Sequence, residues 1–292
     1  MTTSADQFWY QTEEALAEFP VNVRLYRDDF YSQPTWDVYQ MRYTSADGAT
    51  LFAWLSVPEG RGPFPAIIRM PDYGSVHDIV YTPLRERAVV MNPTFRGQRQ
   101  SDRVYQAEFP GLLTDGIANP DTYVMRRVFA DAIRAIDALS IQAQAQLREI
   151  ALIGSGLGGA LALAGAARRR SIHAVAANTP MALGNPLSLE SGLGYPLAEL
   201  DDYIRLYPEQ RDAVAQNTAD LDPLKIADKI TAPVLLSIGI NDKSVCPLIF
   251  GERLADQIPN CDLRVYQGAA EGGGHEHAQI QLSWLADKLG IG

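Results

Sequence analysis

Six short apolar runs, nearly free of polar alternation, most constrain what this chain can fold into. They are Ala66-Ile67-Ile68, Ala88-Val89-Val90-Met91, Ile150-Ala151-Leu152-Ile153, His173-Ala174-Val175-Ala176, Pro233-Val234-Leu235-Leu236-Ser237-Ile238 and Leu263-Arg264-Val265-Tyr266. A strand loses its polar alternation when both faces are buried, as in parallel sheets covered by helices. Helical patterns separate the runs. In Asp121 to Leu139, residues Met125, Phe129, Ala132, Ile133 and Ile136 form one apolar stripe, with Arg126, Arg127, Arg134 and Asp137 off it. Leu157 to Ala167 is small and apolar, suited to tight packing on a sheet, and Ala278 to Leu289 reads as a C-terminal amphipathic helix. Earlier, Trp36 to Tyr43 and Thr50 to Val57 read as strands joined through Asp47-Gly48, a hairpin signal. The pattern predicts an α/β fold: an N-terminal antiparallel hairpin, then βα units forming a mostly parallel, doubly wound sheet. Residues 1–292 are expected to form one domain. The long mixed stretch Met181 to Thr218 is expected to be a cap over one end of the sheet.

Charge and composition exclude several functions. The chain is 47% hydrophobic and 21% charged, ordinary for a globular protein, with a net charge of −10. An acidic surface disfavours phosphate backbones and anionic membranes, so no nucleic-acid or membrane partner is expected. The start Met1-Thr2-Thr3-Ser4-Ala5-Asp6 lacks the basic residues and apolar run of a signal peptide. No segment approaches the roughly 20 apolar residues that span a bilayer. Cys246 and Cys261 are too few for a disulfide framework and lack metal-ligand spacing. A reducing cytoplasm, with no metal and no cofactor, is the expectation.

The central motif is Ile153-Gly154-Ser155-Gly156-Leu157-Gly158-Gly159, which ends one apolar run and opens a helix. That is the context of the nucleophile elbow G-x-S-x-G. The flanking glycines are Gly154 and Gly158, so the apex is Gly156, and Ser155 lies one residue early. At a sharp turn a one-residue shift re-aims a side chain, so Ser155 does not take over. Gly154, Gly156 and Gly159 also fit G-x-G-x-x-G, a phosphate-binding turn. Against a dinucleotide site, the turn is mid-chain, and the next strand ends in Ala176-Ala177-Asn178-Thr179-Pro180 without the acid such a site wants. Acid and histidine follow in the hydrolase order. Asp242 comes after the strand at 234–240, and His275 after the last strand, in Glu271-Gly272-Gly273-Gly274-His275-Glu276-His277. Asp242 would orient the imidazole, with His275 as general base. Alone, Asp242 in Asn241-Asp242 reads as a turn residue and His275 as a solvated loop histidine. Their joint placement at consecutive strand ends favours the functional reading.

Several segments together resemble the acetyl xylan esterases and cephalosporin C deacetylases of carbohydrate esterase family 7, which have the α/β-hydrolase fold. Arg96-Gly97-Gln98-Arg99-Gln100-Ser101 resembles the family's R-G-Q-x-x-S, and Gly154 to Gly159 its G-x-S-Q-G-G elbow. Asp242 with Val245-Cys246-Pro247 resembles its D-x-x-C-P-P, and His275-Glu276 its terminal H-E. Gly116-Ile117 to Pro120-Asp121-Thr122-Tyr123, running into Arg127 to Ala132, resembles the segment after R-G-Q. The Phe8-Trp9 start and the Val38-Tyr39 strand also fit, so the likeness covers nearly the whole chain. It implies a serine esterase that deacetylates short xylo-oligosaccharides and small esters, often as a ring-shaped homo-oligomer such as a hexamer. It also implies backbone oxyanion donors at Tyr73 and Leu157. Arg96 reads as structural.

Three departures stand out: Gly156 in place of serine, Leu157 in place of glutamine, and Gly74-Ser75-Val76-His77 in a loop usually richer in glycine and bearing an arginine. Together they point to natural drift rather than one designed change. Glycine adopts strained elbow angles without steric cost, so losing the serine removes acyl transfer and relieves strain together. The expectation is weak or no serine-esterase activity. The alternatives are a ligand-binding pseudoenzyme holding a small ester or sugar, and a non-hydrolytic enzyme using Asp242 and His275.

Overall fold

The computed structural model describes residues 3–74, 79, 82–107, 111–184, 192–243, 245–268 and 272–291. Ser75-Val76-His77 of the loop after Tyr73, Pro186 within the 181–218 insert, and Glu271 lie outside them.

The chain opens with helix α1 (Ser4–Glu18). Thr3 caps it: its Oγ1 accepts from the Asp6 N–H at 3.1 Å, and Asp6 Oδ2 accepts from the Thr3 N–H at 3.2 Å. Buried Phe8, Trp9, Thr12 and Leu16 recur at helical spacing. The strands are β1 (Arg24–Arg27), β2 (Trp36–Thr44), β3 (Thr50–Pro58), β4 (Phe64–Arg69), β5 (Val89–Pro93), β6 (Leu147–Ser155), β7 (Ile172–Asn178), β8 (Val234–Gly239) and β9 (Cys261–Tyr266). The remaining helices are α2 (Val124–Ile141), α3 (Leu157–Arg168), α4 (Ala198–Leu206), α5 (Arg211–Ala219), α6 (Leu248–Gln257) and α7 (Gly274–Lys288).

Among the described residues, nine strands share one sheet, in the order β1-β2-β3-β5-β4-β6-β7-β8-β9. The first three form an antiparallel meander, β3 pairs antiparallel with β5, and every ladder from β5 to β9 is parallel. Alternate residues of the central strands go to opposite layers. Ile68, Leu152 and Val175 join the core with α2 and α3, whereas Ile67, Ala151 and Ala174 pack against Leu285 and Leu289 at the C-terminal end. That two-sided burial is the reason these strands read as unbroken apolar runs. After β4 the chain adds β5 on one side, then crosses to add β6 on the other. The carboxyl ends of β4 and β6 therefore flank the switch point, where open α/β sheets bind ligands.

Two local expectations change, and one strand appears that the sequence analysis does not predict. Arg134, expected on the polar side of α2, is buried and donates to the Leu16 and Phe19 carbonyls (3.1 Å for Phe19), satisfying the C-terminal end of α1. The last helix starts at Gly274, not Ala278, because Gly273 turns the chain at φ +91° and the helix follows at once. His275 thus sits in a helix's first turn rather than in a loop. β1, a short charged edge strand, has no apolar pattern to betray it.

Candidate active site

The turn between β6 and α3 is pinned from both sides. Gly156 donates to the Asn178 carbonyl at 3.0 Å and accepts from the Met181 N–H at 2.9 Å. A Cβ on Gly154 would collide with the Gly158 carbonyl, and one on Gly158 would lie 2.6 Å from the Met70 carbonyl oxygen, so the strand-to-helix crossing closes only with glycine. At the apex Gly156 has φ +55° and ψ −122°, angles that strain any residue with a side chain. Ser155 is the last residue of β6, exposed and in register with Asn178. It lies two residues after Ile153, which packs with the α7 layer, so it shares that face of the sheet rather than the apex.

Opposite the apex, the chain leaving β4 reads Pro71-Asp72-Tyr73-Gly74. The Tyr73 N–H and the Leu157 N–H converge on a single oxygen, Asp72 Oδ1, at 2.7 and 2.9 Å. Leu157 opens α3, so the helix dipole also favours an anion at this point. Burial raises the Asp72 pKa above its ordinary value, against the pull of the two N–H bonds. The Gln98 amide donates to the Asp72 carbonyl at 2.9 Å, holding the loop from behind.

The R-G-Q-x-x-S segment is thereby explained residue by residue. Arg96 is buried; its guanidinium grips Asp131 (2.9 and 2.8 Å) and Asp47 (2.7 and 3.1 Å), tying β5 to α2 and to the β2–β3 turn. Gln98 holds Asp72, and Ser101 Oγ accepts from the Phe52 N–H at 2.9 Å. None of the three faces the Gly156 apex as a reacting group.

Tyr73 also links the loop to the insert. Its hydroxyl donates to Glu199 Oε2 on α4 at 2.6 Å, and the Leu113 N–H donates to the same pair at 3.0 and 3.2 Å. Burial raises both the Tyr73 and Glu199 pKa values. A cavity of about 250 Å³ opens here, lined by Tyr73, Gln98, Gly111, Leu112, Tyr195 and Glu199. Tyr195 packs edge-on against Tyr73 at 5.7 Å yet stays 68% exposed.

Asp242 and His275 lie past the ends of β8 and β9, but no hydrogen bond joins them. Asp242 is buried and accepts from the Val245 and Cys246 N–H groups at 2.9 and 3.0 Å. His275 is exposed. The better-held histidine is His277, buried between Tyr266 and Asn178. Its Nδ1 lies 2.9 Å from the Tyr266 hydroxyl and its Nε2 3.0 Å from Asn178 Oδ1, which can only accept, so Nε2 carries the proton. Burial lowers its pKa. Asp72, Glu199 and His277 carry no weight in a motif reading. The sequence signal for Asp72 was its place next to Tyr73. Among the described residues, no cluster of His, Cys, Asp and Glu could hold a metal, and both cysteines are free. No described helix is long and apolar enough to cross a membrane.

The strand order, the β6–α3 elbow at the switch point and the loops around it define an α/β-hydrolase fold. The chain belongs to the acetyl xylan esterase (AXE1) family, whose profile matches residues 2–288. It is similar to the acetyl esterase Axe7A of Xylanibacter ruminicola, at 25% identity over 258 residues, covering 83% of this chain and 57% of that protein. The chain thus spans little more than half the length of that relative. In structure it is similar to an acetyl xylan esterase from Paenibacillus sp. R4, with TM-score 0.87, 24% identity, and 98% of this chain and 94% of that one covered. Acetyl xylan esterase 1 from Thermoanaerobacterium sp. JW/SL YS485 aligns at TM-score 0.80 and 21% identity, over 96% and 93% of the two chains. At such identities these two likenesses speak for the fold.

Proposed function

We propose that this chain is a degenerate acetyl xylan esterase, without serine-esterase turnover, that keeps a site for a small acetylated sugar or ester. The observation that carries this is Gly156 at the apex of the elbow, where the family chemistry needs an attacking hydroxyl. The convergence of the Tyr73 and Leu157 N–H groups on one oxygen supports reading them as oxyanion donors. Tyr195, Tyr73, Gln98 and Glu199 around the adjoining cavity offer aromatic faces and polar groups suited to a sugar ring. The insert at about 181–218, which contributes Tyr195 and Glu199, is proposed as the cap of a single domain spanning 1–292. A cytoplasmic homo-oligomer remains the expected state.

Asp242 and His275 are proposed as the remnant acid and base. Asp242, held by the Val245 and Cys246 N–H groups, and His275, in the exposed first turn of α7, follow β8 and β9 in the hydrolase order, which supports this reading. Hydrolysis of p-nitrophenyl acetate tests the proposal. The unsubstituted protein is expected to stay near the buffer rate and to be unchanged by His275→Ala. Turnover on the order of 10 s⁻¹, typical of enzymes, would sink it.

A further inference from the structure

Asp72 stands where a reaction intermediate would stand. Its Oδ1 takes both N–H donors that an ester's developing oxyanion would need. Its carboxylate also fills the volume of the absent nucleophile: a Cβ on Gly156 would collide with Oδ1 and lie 2.8 and 2.9 Å from Oδ2 and Cγ. The arrangement is held from outside by the bond from Gln98 to the Asp72 carbonyl and by the tie from Tyr73 to Glu199.

We infer that Asp72 is a built-in carboxylate occupant of the oxyanion hole, and that it decides what the site admits. With it in place, an ester carbonyl or a free carboxylate finds both donors taken and meets a like charge or a lone pair instead. Among the described residues, the part of the site around Tyr195 and Glu199 is left for a ligand. The missing serine and the occupied hole are thus two halves of one change, because a side chain at 156 and this placement of Asp72 exclude each other. This inference rests on reading Tyr73 and Leu157 as the oxyanion donors.

Acetate is the probe, and the readout is the pair of backbone amide signals of Tyr73 and Leu157 in ¹⁵N-resolved NMR. Asp72→Ala frees the two donors, so acetate is expected to shift both signals saturably, whereas the unsubstituted protein shows no such response. Shifts of equal size in the unsubstituted protein overturn the inference, and so does the absence of any response in a folded Asp72→Ala. Asp72→Ser replaces it should the alanine variant not fold.

Hydrolysis of p-nitrophenyl acetate supplies the second arm. Gly156→Ser with Asp72→Gly, which supplies the hydroxyl and clears the carboxylate, is expected to exceed the unsubstituted protein at least ~100-fold, since one oxyanion donor alone is worth about 10²–10³ in kcat. Gly156→Ser alone drives the carboxylate off both donors, so its Tyr73 and Leu157 amide signals are expected to move from their unsubstituted positions as they do in Asp72→Ala, and signals left in place in a folded Gly156→Ser overturn the inference. If acetate binds Asp72→Ala yet the double variant stays inert, the occupied hole stands, and it is the Asp242–His275 reading that fails.

Discussion

Replacing Gly156 by alanine adds one methyl group, and the structure gives its cost in two parts. The first is the backbone: φ +55° with ψ −122° strains a residue with a Cβ by about 1–3 kcal/mol. The second is Asp72. The new Cβ collides with its carboxylate, so the carboxylate must leave the Tyr73 and Leu157 N–H groups. A hydrogen bond to a charged group is worth about 1.5–3 kcal/mol, and water recovers part of the loss at this half-buried position, leaving about 2–3 kcal/mol for the pair of bonds. Gly156→Ala should therefore cost about 3–6 kcal/mol. In an Asp72→Ala background the collision is absent and only the backbone part, about 1–3 kcal/mol, remains. The four proteins of this cycle, unfolded in urea and followed by tryptophan fluorescence, should show a coupling of about 2–3 kcal/mol between two positions far apart in sequence. Additivity within ~0.5 kcal/mol would refute the reasoning, because it would mean that the carboxylate does not occupy the space a side chain at 156 requires.

Two further outcomes follow from groups outside the apex. Arg96→Met leaves Asp131 buried without its cation, with the Ser45 hydroxyl and the backbone N–H at 96 still donating to it, and should cost about 3–5 kcal/mol in urea unfolding, with no effect beyond stability, since Arg96 reaches Asp131 and Asp47 rather than the elbow. His277 is held neutral by burial with its pKa below the ordinary 6.5, so the native state binds fewer protons than the unfolded chain. Its stabilising contribution is present above about pH 6.5 and is lost as pH falls through the lowered value. The melting temperature should drop on going from about pH 7.5 to 5, and His277→Gln should flatten that slope; an unchanged slope would rule out His277 as its source.

What could be read in the sequence follows the physics of burial. The central strands were legible because two covered faces erase polar alternation, as Ile67 and Ile68 show by facing opposite layers. The elbow was legible because Gly154 and Gly158 are required by backbone contacts only a few residues away. Helix α1 carries a readable cap in Thr3 and Asp6 and an apolar stripe from Phe8 to Leu16. The glycines before α7 look like loop, but they serve close passage: a Cβ on Gly272 would strike Ser237 Oγ, and one on Gly273 would lie 2.5 Å from the Tyr266 ring. Arg134 misled because a long side chain on a polar-looking position can reach carbonyls at the end of another helix.

Asp72 was beyond a linear reading for a different reason. Its role depends on where one carboxylate points relative to a turn that lies far along the chain and carries no side chain at its apex. Residue type and spacing show a glycine at the apex; they do not show which side chain lies against it. The same glycine therefore supports two different molecules, one with an open hole awaiting a hydroxyl and one whose hole is already filled. Under the proposed reading of Tyr73 and Leu157 as oxyanion donors, their bonds to Asp72 Oδ1 favour the second, a protein whose donors are spent on its own chain.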